Sequence, residues 1–292
     1  MEAGQCAGPL GAGDGHEIVP ATAAAIPSGV IHGLVNGGAG SSRLNCSAMR
    51  RAFIAIAWVL LTAVSGSAQA RVHSSRVHAR QPVVVELYTS QGCSSCVAAD
   101  QLLDDLADRP GVLALTFAVD YWDYLGWNDT FAKPEFSARQ RAYMQRLAMR
   151  EVYTPQIIVG GQQEAAGADK AKVEALIHKA QGTTADPPRL KLLRRGKVQV
   201  GAGTAPPGGA EVWLVRYDPG VQKVLVKRGE NRGQTLIERN VVRDLVKLGV
   251  WRGKARIYAP PAALPDGKGL RTGILLQAAR SGRIIAVLQK AP

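Results

Sequence analysis

Residues Val83–Cys96 read VVVELYTSQGCSSC: an apolar, largely β-branched run, a short turn, and two cysteines three positions apart. Such a run bounded by turn formers is a buried strand. In Ser94–Ala107, which follows, Val97, Leu102, Leu103 and Leu106 fall largely on one helical face. Strand, turn, Cys-x-x-Cys and helix therefore come in that order. The spacing puts Cys93 at a helix start, where unpaired N–H groups and the helix dipole favour an anion such as a thiolate. It also lets Cys96 turn inward, close enough to close a disulfide, so that one sulfur can attack while the other resolves the intermediate. That chemistry requires a reachable attacking sulfur. Two other uses of the same pair remain open at this point: an inert structural clip, and copper handling together with His73 or His78. Zinc would want two further Cys or His ligands.

Working outward, Val112–Val119 and Gln156–Val159 are further strands, and Pro134–Glu151 and Asp169–Ala180 are helices. Strands alternating with helices predict an α/β domain over residues 82–181, with helices against the sheet faces. Turn formers at Gly182–Pro188 mark a boundary. Beyond it, over residues 188–292, Leu190–Val200, Ala210–Asp218, Val221–Lys227, Ile274–Ala278 and Arg283–Leu288 are strand-like, which predicts a basic all-β domain, an antiparallel sandwich or open barrel. Val241–Leu248 fits the periods of strand and helix alike. Charge divides at the same place. Arg71–Asp186 carries 12 Lys+Arg against 14 Asp+Glu, whereas Pro187–Pro292 carries 21 against 6, a net +15. Outward-facing cations of this kind are either solvated strand faces or a surface for an anionic partner in the cell envelope. No nucleic-acid recognition motif accompanies them.

The whole chain has 292 residues, a net charge of +13 and 46% apolar residues, a composition that excludes full disorder. No apolar run reaches the roughly 18–20 residues that span a bilayer, so an integral membrane protein is not expected. Met49–Ala70 has a charged start (Arg50, Arg51), the apolar run Ala52–Val64 and a small-x-small end at Ala68–Ala70. These are the parts of a secretory signal peptide. Residues 1–48 then read as a disordered upstream extension, not part of the working protein, and the mature chain is expected to be exported, periplasmic or secreted. Cys6 and Cys46 fall in the discarded prefix, which leaves Cys93 and Cys96 as one pair in an oxidising compartment.

Tyr153-Thr154-Pro155 directly precedes the strand Gln156–Val159, and residues 82–181 resemble a thioredoxin-like domain. The resemblance implies that Cys93 attacks, Cys96 resolves and Pro155 is a cis-proline packed against the disulfide; Glu86, offset by one residue more than the buried acid that relays protons in thioredoxin, is either its counterpart or an edge carboxylate in solvent. Gly92 stands where thioredoxin has tryptophan, and Ser94-Ser95 fills the motif. Four blocks, Glu86–Cys96, Val119–Trp127 (VDYWDYLGW), Tyr153–Gly161 (YTPQIIVGG) and Glu230–Gly233 (ENRG), together resemble the secreted bacterial family catalogued as domain of unknown function 1223. The aromatic block is either a loop closing the core or a client platform beside Cys93. In the second case Trp122, Tyr124 and Trp127, joined by Tyr153 and Thr154, shape the binding site. The expectation is an exported thiol–disulfide oxidoreductase whose redox-active disulfide is its sole cofactor and whose partner is a client or recycling thiol/disulfide protein. The other candidates are a non-catalytic envelope-binding module and a periplasmic copper-handling protein.

Overall fold

The computed structural model describes residues 81–181, 186–264 and 267–289. The expected signal peptide Met49–Ala70, the stretch 1–48, His73 and His78 lie outside the described residues. Strands β1 (Val83–Thr89) and β2 (Val112–Ala118) are buried at every position, as continuous apolar runs covered on both faces must be. They pair in parallel, from Val83 opposite Val112 to Thr89 opposite Ala118, and α1 (Val97–Ala107) makes the crossover between them. α2 (Pro134–Arg146) follows β2, with a proline at its first position, where the missing N–H costs nothing. It ends earlier than its composition suggests. The last carbonyls are capped from Leu147, and Ala148 turns left-handed at φ 52°.

β3 (Gln156–Val159) runs antiparallel to β1, and β4 (Gln163–Ala166) pairs back on β3 before α3 (Lys170–Gln181). The two faces of β1 are thereby divided. Val83, Val85 and Leu87 pack with Leu102, Leu103 and Leu106 of α1 and with Val173 and Ile177 of α3. Val84 and Tyr88 pack with Phe136 and Tyr143 of α2. Each buried leucine or valine of this kind stabilises the fold by roughly 1.5–3 kcal/mol.

The later strands are β5 (Leu190–Leu192), β6 (Val198–Val200), β7 (Ala210–Asp218), β8 (Gln222–Leu225), β9 (Thr235–Glu238), β10 (Val241–Trp251), β11 (Arg256–Tyr258), β12 (Arg271–Ala278) and β13 (Ile284–Gln289). They overturn the expected division into a thioredoxin-like α/β domain and a separate all-β domain. The main sheet is one mixed eight-stranded sheet in the order β13-β12-β7-β10-β2-β1-β3-β4. β10 lies parallel beside β2, with Val241 opposite Thr116. Three contacts fix this junction: the Thr116 amide donates to the Asn240 carbonyl (3.1 Å), Thr116 Oγ1 donates to the Arg239 carbonyl (2.7 Å), and Asn240 Nδ2 donates to the Ala114 carbonyl (2.9 Å). The physical reason is that β2, buried throughout, needs a hydrogen-bonding neighbour on both sides.

β10 pairs with β7 across two irregularities, between Val242 and Asp244 and between Lys247 and Gly249. Such bulges shift the side-chain period, which is why Val241–Leu248, a strand here, also fits a helical period in sequence. The run Leu190–Val200 is two short strands around a turn at Arg194–Gly196. β5, β6 and β11 form a small separate sheet, and β8 and β9 a two-stranded ribbon. Among the described residues no helix is long and apolar enough to cross a membrane.

Candidate redox site

β1 ends at Thr89, and the chain turns through Ser90–Cys93. The Cys93 amide donates to the Ser90 carbonyl (3.0 Å), and the Gly92 amide donates to Ser90 Oγ (3.1 Å). A 3-10 turn at Ser94–Cys96 then leads into α1. Cys93 and Cys96 are joined by a disulfide across this turn, with Cα atoms 5.4 Å apart, an ordinary separation for the bond. The Thr154–Pro155 peptide is cis. Pro155 lies against the first turn of α1: a Cβ placed on Gly167 would sit 2.8 Å from both the Pro155 and Ala99 Cβ atoms. Trp122 links the two features, since its Nε1 donates to Thr154 Oγ1 (2.7 Å) and a Cβ on Gly92 would lie 3.4 Å from its own Cβ.

The Cys93 sulfur is not reachable as the spacing suggested. Cys93 is 0% exposed and Cys96 1%. The backbone around them is tied down by the loop between β8 and β9. Asn231 is fully buried, and its Nδ2 donates to the carbonyls of Gln91 (3.1 Å) and Cys93 (3.0 Å). Glu230, fully exposed, accepts from the Ser94 amide (3.0 Å) and from Ser94 Oγ (2.7 Å). These two bonds hold the Glu230 carboxyl below its ordinary range. Gly229, left-handed at φ 78°, approaches Gly92 and Trp127. The ENRG block is therefore a strap across the disulfide turn.

Beneath the turn lies a buried polar network centred on Gln91. Its amide donates to Asp129 (2.7 Å), its Nε2 to Thr130 Oγ1 (2.9 Å) and Glu238 (3.2 Å), and its Oε1 accepts from Trp127 Nε1 (3.1 Å). Asp100, on α1 one turn beyond Cys96, accepts from Thr89 Oγ1 (2.8 Å). Burial pushes Asp100 up to about 8; the Thr89 bond opposes this and the Asp129 charge adds to it. Burial likewise takes Asp129 to about 6, against the amides of Gln91 and Phe131. Glu238 is raised well above the ordinary value by burial and then by the charges of Asp100 and Asp129. Three neighbouring carboxyls in a dry site cannot all be ionised at neutral pH, so this one stores protons.

Glu86 is elsewhere. It lies on the α2 face of β1, where Arg139 holds both carboxylate oxygens (2.7 and 2.8 Å) and the hydroxyls of Tyr88 (2.9 Å) and Tyr143 (2.8 Å) donate to it. It is an ion-paired core residue on the opposite face from α1, so the carboxyls near the disulfide are Asp100, Asp129 and Glu238 instead. Of the aromatic block, Trp122 and Trp127 touch the site, whereas Tyr124 is 80% exposed and projects into solvent. Tyr153 donates to Glu164 (2.5 Å), away from the sulfurs. Among the described residues no three His, Cys, Asp or Glu side chains converge as metal ligands.

Sequence reasoning missed Asn231, Glu230, Gln91 and the three acids. Two signals were available: Gln91, Glu230 and Asn231 fall in blocks that carry the family resemblance, and Asp100 stands three residues before Leu103, on the apolar side of its helix.

Two solved structures resemble this one. Protein AGR_C_4864 from Agrobacterium tumefaciens shares 32% identity, with 71% of this chain and 92% of that one covered and a TM-score of 0.56. HBP35 of Porphyromonas gingivalis, at 12% identity, covers 72% of this chain and 75% of its own with a TM-score of 0.51, a likeness of fold alone. No curated protein matches the sequence. Residues 84–277 match the model of the family described as protein of unknown function (DUF1223), and the chain belongs to that family.

Proposed function

We propose that the protein is an exported thiol–disulfide oxidoreductase that exchanges electrons with a client or recycling thiol/disulfide protein through Cys93 and Cys96. The observation that carries this proposal is the disulfide's position at the start of α1, between proton-storing carboxyls on the inside and a polar strap on the outside. A structural clip is a poorer account. Closing a loop of only four residues removes about 2 kcal/mol of unfolded-state entropy, against roughly 4.7 for a hundred-residue loop. Burying three carboxyls behind such a clip costs free energy and gains nothing for stability.

Because Cys93 is buried in the closed form, exchange begins with the Glu230–Asn231 loop lifting off the disulfide turn. When the pair acts as oxidant, a client thiolate then attacks the Cys93 sulfur, the S–S bond breaks, and its electron pair leaves on Cys96. A buried carboxyl supplies the proton that neutralises this thiolate. The second client thiolate then attacks the client sulfur of the mixed disulfide and expels Cys93. The client leaves with a disulfide and the protein with two thiols, two electrons having passed inward. Reduction of a client disulfide is the same sequence reversed. The leader at Met49–Ala70 supports a working place outside the cytoplasm, where such pairs are in use.

Producing full-length Cys96→Ser in its native host tests this directly. Adducts on non-reducing gels, dissolved by reductant and absent when Cys93 is also replaced by Ser, are the expected result. No Cys93-dependent adduct, even with Asn231→Ala added to loosen the strap, would remove the proposal.

A further inference from the structure

The positive charge of the second half is not evenly spread. Part of it lines a cleft of about 1100 Å³, whose described lining comes from the β5–β6 turn, from residues 259–264 and 267–270 after β11, and from the start of β12. Arg194, Arg195 and Lys197 line it from the β5–β6 turn, and Lys268 and Arg271 from the chain leading into β12. Arg216 sits at the base, ion-paired with Asp244 (2.7 Å), and Gly267 covers it so closely that a Cβ there would lie 2.7 Å from the guanidinium. The other five cations take part in none of the ion pairs between described residues. The Arg271 Nε is buried without a hydrogen-bond partner among them as well. No acidic residue appears among the described lining residues. The lining is otherwise largely apolar, with Leu192, Leu214, Leu264, Leu270 and the Pro260–Pro261 pair.

The chemistry of the lining narrows the ligand. Unpaired guanidinium and ammonium groups in a concavity attract a compact anion, and arginine suits phosphate or carboxylate geometry. A lining of leucine and proline gains only from apolar surface. None of the described lining residues is aromatic, so among them bases have nothing to stack on, which disfavours nucleotides and single strands. The volume slightly exceeds the roughly 300–1,000 Å³ typical of small-molecule sites. We propose that this cleft binds a monomeric anionic amphiphile. Its phosphate or carboxylate head lies among Arg194, Arg195, Lys268 and Arg271, and its hydrocarbon part lies along the leucines. The site is independent of the Cys93–Cys96 chemistry.

Isothermal titration calorimetry of the full chain tests it with three probes: dodecyl phosphate below its micellar concentration, inorganic phosphate (the head alone) and dodecyl maltoside (a tail on a neutral head). Dodecyl phosphate is expected to bind one per chain, at least about tenfold more tightly than either control. The double variant Arg195→Gln/Lys268→Gln, exposed and expected to melt like the parent, should weaken it by about tenfold or more. Equal binding of dodecyl maltoside overturns the anionic head, and equal binding of inorganic phosphate overturns the apolar lining. No binding, or binding indifferent to the double variant, overturns the site. Flotation with phosphatidylglycerol vesicles separates the sources: capture lost in the double variant marks a membrane lipid, and monomer binding without capture marks a free amphiphile.

Discussion

Glu230 and Ser94 meet across the disulfide turn, the carboxylate accepting at 3.0 Å from the Ser94 amide and at 2.7 Å from its hydroxyl. The amide lies in the 3-10 turn ahead of α1, so a side chain from the β8–β9 loop satisfies a donor that the helix start leaves open. Asn231 takes the next layer inward, on the carbonyls flanking Gly92. Access to Cys93 therefore depends on how firmly these two residues hold.

Loosening the strap should accelerate reduction. Asn231→Ala removes two hydrogen bonds at about 1 kcal/mol each, which corresponds to roughly a tenfold to thirtyfold faster reaction of Cys93–Cys96 with a small phosphine. Glu230→Ala acts in the same direction but less, because its bonds are exposed to water. Timed alkylation followed by mass spectrometry measures both rates. Equal rates in parent and variants would place the route to the sulfurs somewhere other than under the strap.

Stability should decline toward alkaline pH. Asp100 has an ordinary value of 3.8 and is raised to about 8, Asp129 is raised to about 6, and Glu238 is also raised. Between those limits the native chain holds protons that the unfolded chain has released. The stabilisation is complete below pH 3.8, the unfolded value for Asp100, and is lost as pH climbs through about 8. Scanning calorimetry from pH 5 to pH 9 should show a falling Tm, and Asp100→Asn should flatten the slope. An Asp100→Asn protein with the parent's slope would refute the assignment.

Glu86 should matter to folding and not to exchange. Arg139→Met leaves the buried Glu86 carboxylate without its partner and should cost about 3–5 kcal/mol in urea unfolding. Reduction of the disulfide by phosphine, measured where the variant is still folded, should keep the parent's rate and pH profile. A shifted pH profile would restore Glu86 as a proton relay.

Gly167→Ala should destabilise the fold by about 1–3 kcal/mol through overpacking, because the added methyl would sit 2.8 Å from Pro155 and Ala99. Equilibrium urea denaturation reads this. A neutral result would mean that α1 and the segment before β3 can part without cost.

The stretch Val83–Cys96 made the local order legible. A buried strand, a turn, two cysteines and a helix are each written in nearest-neighbour composition and period, and the position of Pro155 before β3 is equally plain. What the sequence did not reveal was every relationship between distant residues. Nothing local to Val112–Ala118 says that Val241 will lie beside Thr116, so two apparent domains are one sheet. Nothing local to Cys93 says that Asn231 will tie down the backbone around it. Asp129 and Glu238 look like ordinary surface acids until the ribbon and the loop after β2 bury them together. Only Asp100, on an apolar helical side, carried a sign of its later surroundings.

The joint between Thr116 and Arg239, 123 positions apart, also bears on how the chain is made. While the ribosome is still adding β7 to β9, β2 is complete but lacks its outer partner, an apolar edge able to recruit any stray extended segment. Contacts between such distant parts of a chain form slowly because a long loop must first close. Nascent molecules should therefore depend on holdase chaperones until residue 241 is free to dock, and truncations ending before it should aggregate instead of yielding a smaller soluble half.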